Sequence, residues 1–317
     1  MKVNIIPLEE IKKTLAGIDI GTLVDAMEQS FVAYSEGRAV VPPVGLLQFD
    51  KPPGDVHIKY GYIHGEDVYV IKVAASFYDN QKRGLPSSHG LMLVFSQETG
   101  ALLSILLDEG HVTNVRTALA GAVVAKYLAP SKVKAVGIVG TGTQARLQLQ
   151  YLTAMIDCRN VYVWGRSNEA LQKYVADMKV LGLDVTPTRS MQVITDHCNY
   201  IVTTTPSHKP LIMSKQVHYG THITAVGADA PGKQELDPAL LQRADMLIVD
   251  SKSQCSNHGE VAYAIRQGLM SSDSLIELGS LIKNGLWCEH DSHITIADLT
   301  GVAVQDITIA KIVYAAK

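Results

Sequence analysis

Apolar positions recur in two different rhythms along the chain. Between Leu8 and Glu36, Ile11, Leu15, Leu23, Ala26, Met27 and Phe31 return at helical spacing and predict an amphipathic helix. Pro42-Pro43 and Pro52-Pro53-Gly54 then punctuate extended chain. His57–Tyr62, Val68–Ala75 and Gly90–Phe95 read as strands, and Glu98-Thr99-Gly100 reads as a hairpin turn into Ala101–Leu107. Strands in unbroken succession predict a mainly antiparallel sheet.

The rhythm changes at Val112–Leu128, an Ala-rich helix stopped by Pro130. From there strands and helices alternate. Val133–Val139, Asn160–Trp164, Asn199–Thr204, His222–Val226 and Met246–Val249 read as strands, and Ala145–Met155 and Asn168–Leu181 as helices. Alternation of this kind predicts an α/β fold with a Rossmann-type, doubly wound parallel sheet covered by helices on both faces. After about Leu286 the chain returns to short pieces, and a last helix near Asp306–Ala316 is expected to pack back on the first region.

Composition narrows the class. Hydrophobic residues make up 47% and charged residues 19% of 317, a globular balance with room for two domains. A formal net charge of -3 gives no electrostatic case for nucleic acid or an anionic membrane. No apolar run approaches the ~20 residues that span a bilayer. The start, MKVNIIPLEEIKK, lacks a signal-peptide pattern. Cys158, Cys198, Cys255 and Cys288 are scattered singly and the histidines form no ligand spacing, so a reducing, cytoplasmic compartment and no bound metal are expected.

One segment carries specific chemistry. Gly140-Thr141-Gly142-Thr143-Gln144-Ala145 follows a continuous apolar run and opens a helix. Gly140 permits the tight turn, Gly142 lets backbone approach a pyrophosphate, and Ala145 is small enough for the helix to pack on the strand. A second strand about 20 residues on gives the motif the context it requires. That strand ends in Trp164-Gly165-Arg166-Ser167, where NAD-specific sites usually carry an acid. Gly165 leaves space, Arg166 offers a charged fork to a 2′-phosphate and Ser167 adds a donor, so NADPH is favoured over NADH. Trp164 reads as sheet core. Thr204 and Val226, at two strand ends, and Gly301 complete the cofactor candidates.

Almost the whole chain resembles the ornithine cyclodeaminase/μ-crystallin family. The likeness is carried, in order, by Lys72 in VIKVAASFYDN, Gly84–Ser88, Arg116-Thr117-Ala118 after Asp108, and Gly140–Ala145. It continues through Ala225–Leu236, Val249-Asp250-Ser251, Gly259-Glu260, Glu277-Leu278-Gly279 and Gly301–Asp306. The resemblance implies a Rossmann-type nucleotide domain, 113–289, inserted into an α+β substrate-binding and dimerisation domain, 1–112 plus 290–317, and a homodimer. It makes Lys72 and Arg116 substrate-carboxylate residues, Lys72 and Asp229 the catalytic pair, and Thr117, Ser87 and Ser88 cofactor contacts. Chemistry alone agrees that Lys72, flanked by Val70, Ile71, Val73 and Ala74, is costly to bury without an anion. Where the family often has an Arg, Gly45 stands at about the matching place, with His57 or Lys59 as candidate replacements in binding substrate.

Three family reactions compete. An ornithine cyclodeaminase recycles its dinucleotide and usually holds NAD through an acid after the second strand, and an alanine dehydrogenase-like member is also expected to use NAD. Gly165-Arg166-Ser167 fits better a reductase that consumes NADPH, taking Δ1-pyrroline-2-carboxylate to L-proline and also the six-membered Δ1-piperideine-2-carboxylate. A protein that binds NADPH and a small ligand with little turnover is the reading from a different class.

Overall fold

The computed structural model describes residues 3–86, 88–286 and 292–317. Ser87, expected on the cofactor side, and Cys288 lie outside the described residues. The chain divides into two compact units, one of residues up to Arg116 with Val302–Lys317, the other Thr117–Gly301.

The first unit is built on seven strands: β1 (Asn4–Pro7), β2 (Ala39–Val40), β3 (Gly45–Asp50), β4 (Pro53–Ile63), β5 (Val68–Phe77), β6 (Ser88–Ser96) and β7 (Leu102–Leu107). They run in the order β1-β7-β6-β5-β4-β2, with β3 also on β4, and only β1–β7 is parallel among the pairs. Side chains alternate across such a sheet. Val68, Val70, Met92 and Val94 are buried on one face, and the helices Ile20–Ser35 and Ala303–Ala315 pack within this unit to cover it. The helical periodicity over Leu8–Glu36 is divided between two helices, Leu8–Ala16 and Ile20–Ser35. Gly17 closes the first, and the Asp19 carboxylate accepts from the Thr22 N–H at 3.2 Å to cap the second.

The second unit holds an eight-stranded, all-parallel sheet. Its strands are β8 (Val136–Val139), β9 (Asn160–Trp164), β10 (Asp184–Thr188), β11 (Tyr200–Thr203), β13 (His222–Ala225), β15 (Met246–Val249), β16 (Ile276–Glu277) and β17 (Thr295–Asp298). β12 (His208–Ile212) and β14 (Gln234–Leu236) form a separate pair. The order is β10-β9-β8-β11-β13-β17-β15-β16. Near-continuous apolar strands such as VGIV, YIVT and MLIV suit a sheet buried on both faces. The chain winds outward from β8 through β9 to β10, then returns to β11 on the other side of β8. That reversal opens a crevice at the carboxyl ends of β8 and β11.

One expected boundary moves. The sequence assigns 290–317 to the first region, whereas β17 pairs with β13 and β15 inside the nucleotide-type sheet. Ile294, Ile296 and Ala297 are fully buried there, so the chain leaves the second unit only at Gly301. At the other end, the division falls within the helix His111–Leu128, between Arg116 and Thr117. No described helix is long and apolar enough to cross a membrane.

Candidate active site

The glycine turn lies at the mouth of the crevice. Gly140 has φ of +124°, a conformation that L side chains rarely adopt, and its N–H donates to the Trp164 carbonyl at 2.9 Å. A Cβ there would stand 2.5 Å from Thr204 Oγ1, which itself donates to the Val139 carbonyl at 3.1 Å. Gly142 begins the helix Thr143–Leu152 without a side-chain cap, and a Cβ on it would meet nothing within 4 Å. The start of the helix is thus left open to an anion. A cleft of about 260 Å³ joins Gly140, Thr141, Gly142, Arg166 and Thr204.

The remaining nucleotide-side residues have other immediate roles. Thr143 and Gln144 lie in the helix's first turn, and Gln144 Oε1 accepts from Gln148, which also donates to the Thr117 carbonyl. Ser167 Oγ caps the next helix, accepting from the Ala170 N–H at 3.4 Å. Val226 is buried and donates its N–H to Thr203. Gly301 has φ of +83° and donates to the Asp250 carboxylate at 2.5 Å. Two expectations change here. Trp164 packs on the core yet also lines the cleft, with its indole N–H given to the Arg189 carbonyl. Gly165 leaves no space on its Cβ side, where Thr141 Cγ2 would lie at 2.8 Å. Any room for a phosphate is on the side of exposed Arg166.

Asp229 follows β13 on the segment leading to β14, at the carboxyl edge of the sheet. Its side chain is exposed, and Lys233 Nζ, four residues on, is 2.6 Å from it.

In the first unit, the sheet gathers cations. Lys59 and Lys72 are direct partners in the β4–β5 register, so both point to the same face, and both are buried. Lys72 Nζ donates to Asp306 Oδ1 at 2.8 Å, Arg116 Nε lies 3.0 Å from the same oxygen, and Arg116 Nη1 donates to Gln305 Oε1 at 2.5 Å. His57 shares that face two residues from Lys59 and pairs with Asp55 at 3.3 Å. Ser88, at the far end of β6, is exposed and in register with Ser76. Gly45 pairs with Ile58, whose side chain points to the opposite face from Lys59. A side chain at 45 would therefore miss the cluster, and the extra cation beside Lys72 is Lys59.

Burial and the neighbouring charges of Arg116 and Lys59 lower Lys72 to about 7, despite the opposing pull of Asp306. Burial alone would raise Asp306. Lys72, Arg116 and Lys59, with the Lys72 hydrogen bond, outweigh it and hold this carboxyl below its ordinary value. Asp108, which accepts from the Val112 N–H at 3.0 Å, is raised by burial. Asp306 and Gln305 received no role from the sequence. The signal was available, because an acid within the apolar helix AVQDITIAKIVYA must find a buried cation.

A set of buried carboxyls that carries no site role in the sequence reading lies in the second unit. Glu235 is raised to about 7 and Asp298 to about 8, chiefly by burial, and Glu260 well above its usual value by burial and the Asp298 and Glu235 charges.

A doubly wound parallel sheet with a glycine turn at its switch point defines a Rossmann-type nucleotide-binding protein. The chain belongs to the ornithine cyclodeaminase/mu-crystallin family, whose model matches residues 8–317. An uncharacterized cyclodeaminase of Sinorhizobium fredii is 39% identical over 297 residues, covering 92% of this chain and 89% of the relative. An archaeal alanine dehydrogenase dimer with bound NAD superposes with a TM-score of 0.90 at 34% identity, over 99% of this chain and 96% of its own. The Δ1-pyrroline-2-carboxylate reductase of Thermococcus litoralis, in complex with NADH and L-proline, gives 0.92 at 25% identity, over 99% and 97%.

Proposed function

We propose that this chain is an NAD(P)H-dependent reductase of cyclic imino acids, converting Δ1-pyrroline-2-carboxylate to L-proline and accepting Δ1-piperideine-2-carboxylate as well. The observation that carries the reading is the buried Lys59–Lys72–Arg116 group around Asp306. Three basic side chains gathered near one buried aspartate favour an incoming carboxylate.

Gly140, Thr141, Gly142, Thr204 and Arg166 fit a dinucleotide, because the helix start is open where Gly142 carries no side chain. Thr143, Gln144, Ser167, Thr117, Ser87, Ser88, Val226 and Gly301 are proposed to support the same cofactor. When bound, the nicotinamide supplies the hydride. Arg116 and Lys72 hold the substrate carboxylate, and Lys59 adds charge beside them, with His57 further along the strand. Asp229 stabilises the proton on the imine nitrogen once Lys233 releases it. Arg166 selects NADPH through the 2′-phosphate. The first unit is proposed to bind substrate and to form a homodimer, for which β3 offers Leu46, Leu47 and Phe49, exposed at 42%, 52% and 42%. The cytoplasm is the proposed compartment.

The test is a panel of imines, oxo acids with ammonia, and L-ornithine, run with NADPH and NADH while nicotinamide absorbance is followed. Faster oxidation of NADPH by the cyclic imine than by any other substrate supports the reading. Ammonia release from L-ornithine would make it a cyclodeaminase, and tight NADPH binding without turnover a binding protein. Faster turnover of pyruvate and ammonia would favour a second reading, an amino-acid dehydrogenase, which the 34% identity to the archaeal alanine dehydrogenase motivates. Asp229→Ala is expected to lower turnover about 10²- to 10⁴-fold, the usual weight of a positioned acid–base group. A wild-type rate in that variant removes Asp229 from the mechanism.

A further inference from the structure

Glu235 sits on β14, completely buried, across the carboxyl ends of the neighbouring strands β11 and β13. Its Oε1 accepts from the Thr205 N–H at 2.6 Å and the Thr205 hydroxyl at 2.7 Å. Its Oε2 accepts from the Gly227 N–H at 2.9 Å and the Thr203 hydroxyl at 2.7 Å. Each oxygen therefore takes one backbone N–H and one hydroxyl. The four donors join two turns. One is Thr203–Thr205, whose Thr204 closes on Gly140 and lines the cleft. The other begins at Gly227 and carries Asp229 two residues later. A Cβ at 227 would collide with the Thr205 carbonyl and with Glu235 itself, so the two turns are in direct contact. Glu260 holds the carboxylate's own strand by accepting from the Glu235 and Leu236 N–H groups at 2.7 and 2.9 Å.

We propose that Glu235 is a positioning residue that locks the cofactor-lining turn to the segment bearing Asp229, and that it does so only as a carboxylate. The proposal rests on the dinucleotide reading of the cleft and goes beyond it by assigning cofactor retention to a residue that does not line the cleft. A neutral group cannot replace the anion. An amide in either orientation would set an N–H against a backbone N–H, and a protonated acid would do the same with its O–H unless that proton found another acceptor. Hydroxyls can rotate away, but backbone amides cannot. The titratable groups around Glu235 are also acids, Glu260 on the helix Glu260–Arg266 and Asp298 on β17, with Asp250 near Asp298. Burial brings Glu235 itself to about 7. Acid is therefore expected to unlock the turn at the edge of the neutral range, with cofactor affinity falling as pH drops.

The experiment measures NADPH and NADH dissociation constants by nicotinamide fluorescence, together with kcat and KM for the imine, across pH. Glu235→Gln is expected to weaken dinucleotide binding about tenfold or more and to lower kcat. The imine KM should move little, because the cation group belongs to the other unit. The variant should also lose the wild type's acid limb. Should Glu235→Gln fail to fold, Thr203→Val serves. It removes one donor from the anion and should move the acid limb of binding upward by about one pH unit, which a purely structural role would not do. Wild-type dinucleotide affinity in Glu235→Gln, or an unmoved acid limb in Thr203→Val, overturns the proposal and leaves the cleft reading intact. Failure of the wild type to bind either dinucleotide overturns both.

Discussion

The cation group of the first unit and the buried carboxyls of the second solve opposite problems. Around Asp306, charge is in surplus. Two lysines and an arginine gather near one aspartate, and an incoming carboxylate is the proposed further partner. Around Glu235 and Glu260, the hydrogen bonds among the described residues come from backbone N–H and hydroxyl donors. A site that must capture a small anion is built from charge. A site that must keep loops in register is built from hydrogen-bond count. The first is tolerant of geometry and sensitive to titration of a lysine, and the second demands exact geometry and is sensitive to titration of Glu235.

The largest expected effect that separates them is on Asp306. Asp306→Asn strands Lys72 and Arg116 in a buried site, and denaturant unfolding near pH 7 should register a loss of about 3–5 kcal/mol. A change below about 1 kcal/mol would mean that the cations do not depend on this partner. Next is the pH profile. Lys72 binds its proton at about 7 in the fold and 10.5 outside it. Between those values the unfolded chain holds more protons, so this lysine makes stability rise with pH. Carboxylate binding needs the protonated form, so the imine KM should climb about tenfold per pH unit above 7, with proton uptake on binding seen by calorimetry in two buffers. A flat KM from neutral to alkaline pH removes Lys72 from the clamp. Together with Glu235, this is expected to confine activity to a band around neutrality, the acid limb set by Glu235 and the alkaline limb by Lys72.

Arg166 gives a smaller effect. Arg166→Ala should raise the NADPH KM about tenfold with NADH unaffected, the weight of one charge-assisted contact at an exposed rim. Equal losses for both cofactors would deny it the 2′-phosphate. The smallest effect is predicted for Asp298→Asn. Asp298 is raised to about 8, so it is mostly protonated at neutral pH and an amide can still accept from the Val261 N–H. Stability near pH 7 should change by less than about 1 kcal/mol, against the large loss for Asp306→Asn. Similar losses for both would erase the distinction between the two groups.

What was legible in the sequence was whatever has a local cause. Gly140 and Gly142 announced the turn because only glycine tolerates that backbone and that approach. The apolar runs of β8, β11 and β15 announced buried parallel strands. Features with distant causes were lost. β17 is only Thr-Ile-Ala-Asp, and nothing in four residues reveals that they slot between β13 and β15. The pairing of Lys59 with Lys72 depends on the β4–β5 register, and an offset of one residue is what put Gly45 on the wrong face. Asp306 and Glu235 lie far along the chain from the groups that hold them, so their weight emerges only in three dimensions.

The two sheets also differ at their margins. β10 ends the parallel sheet with Pro187, which has no amide hydrogen to offer a foreign strand. Among the described residues β3 pairs only with β4, and it carries the exposed Leu46, Leu47 and Phe49. Strand accretion is thereby discouraged at the β10 edge and is expected at β3 instead. Loss of Leu46, Leu47 or Phe49 to polar residues should accordingly alter self-association before it alters catalysis.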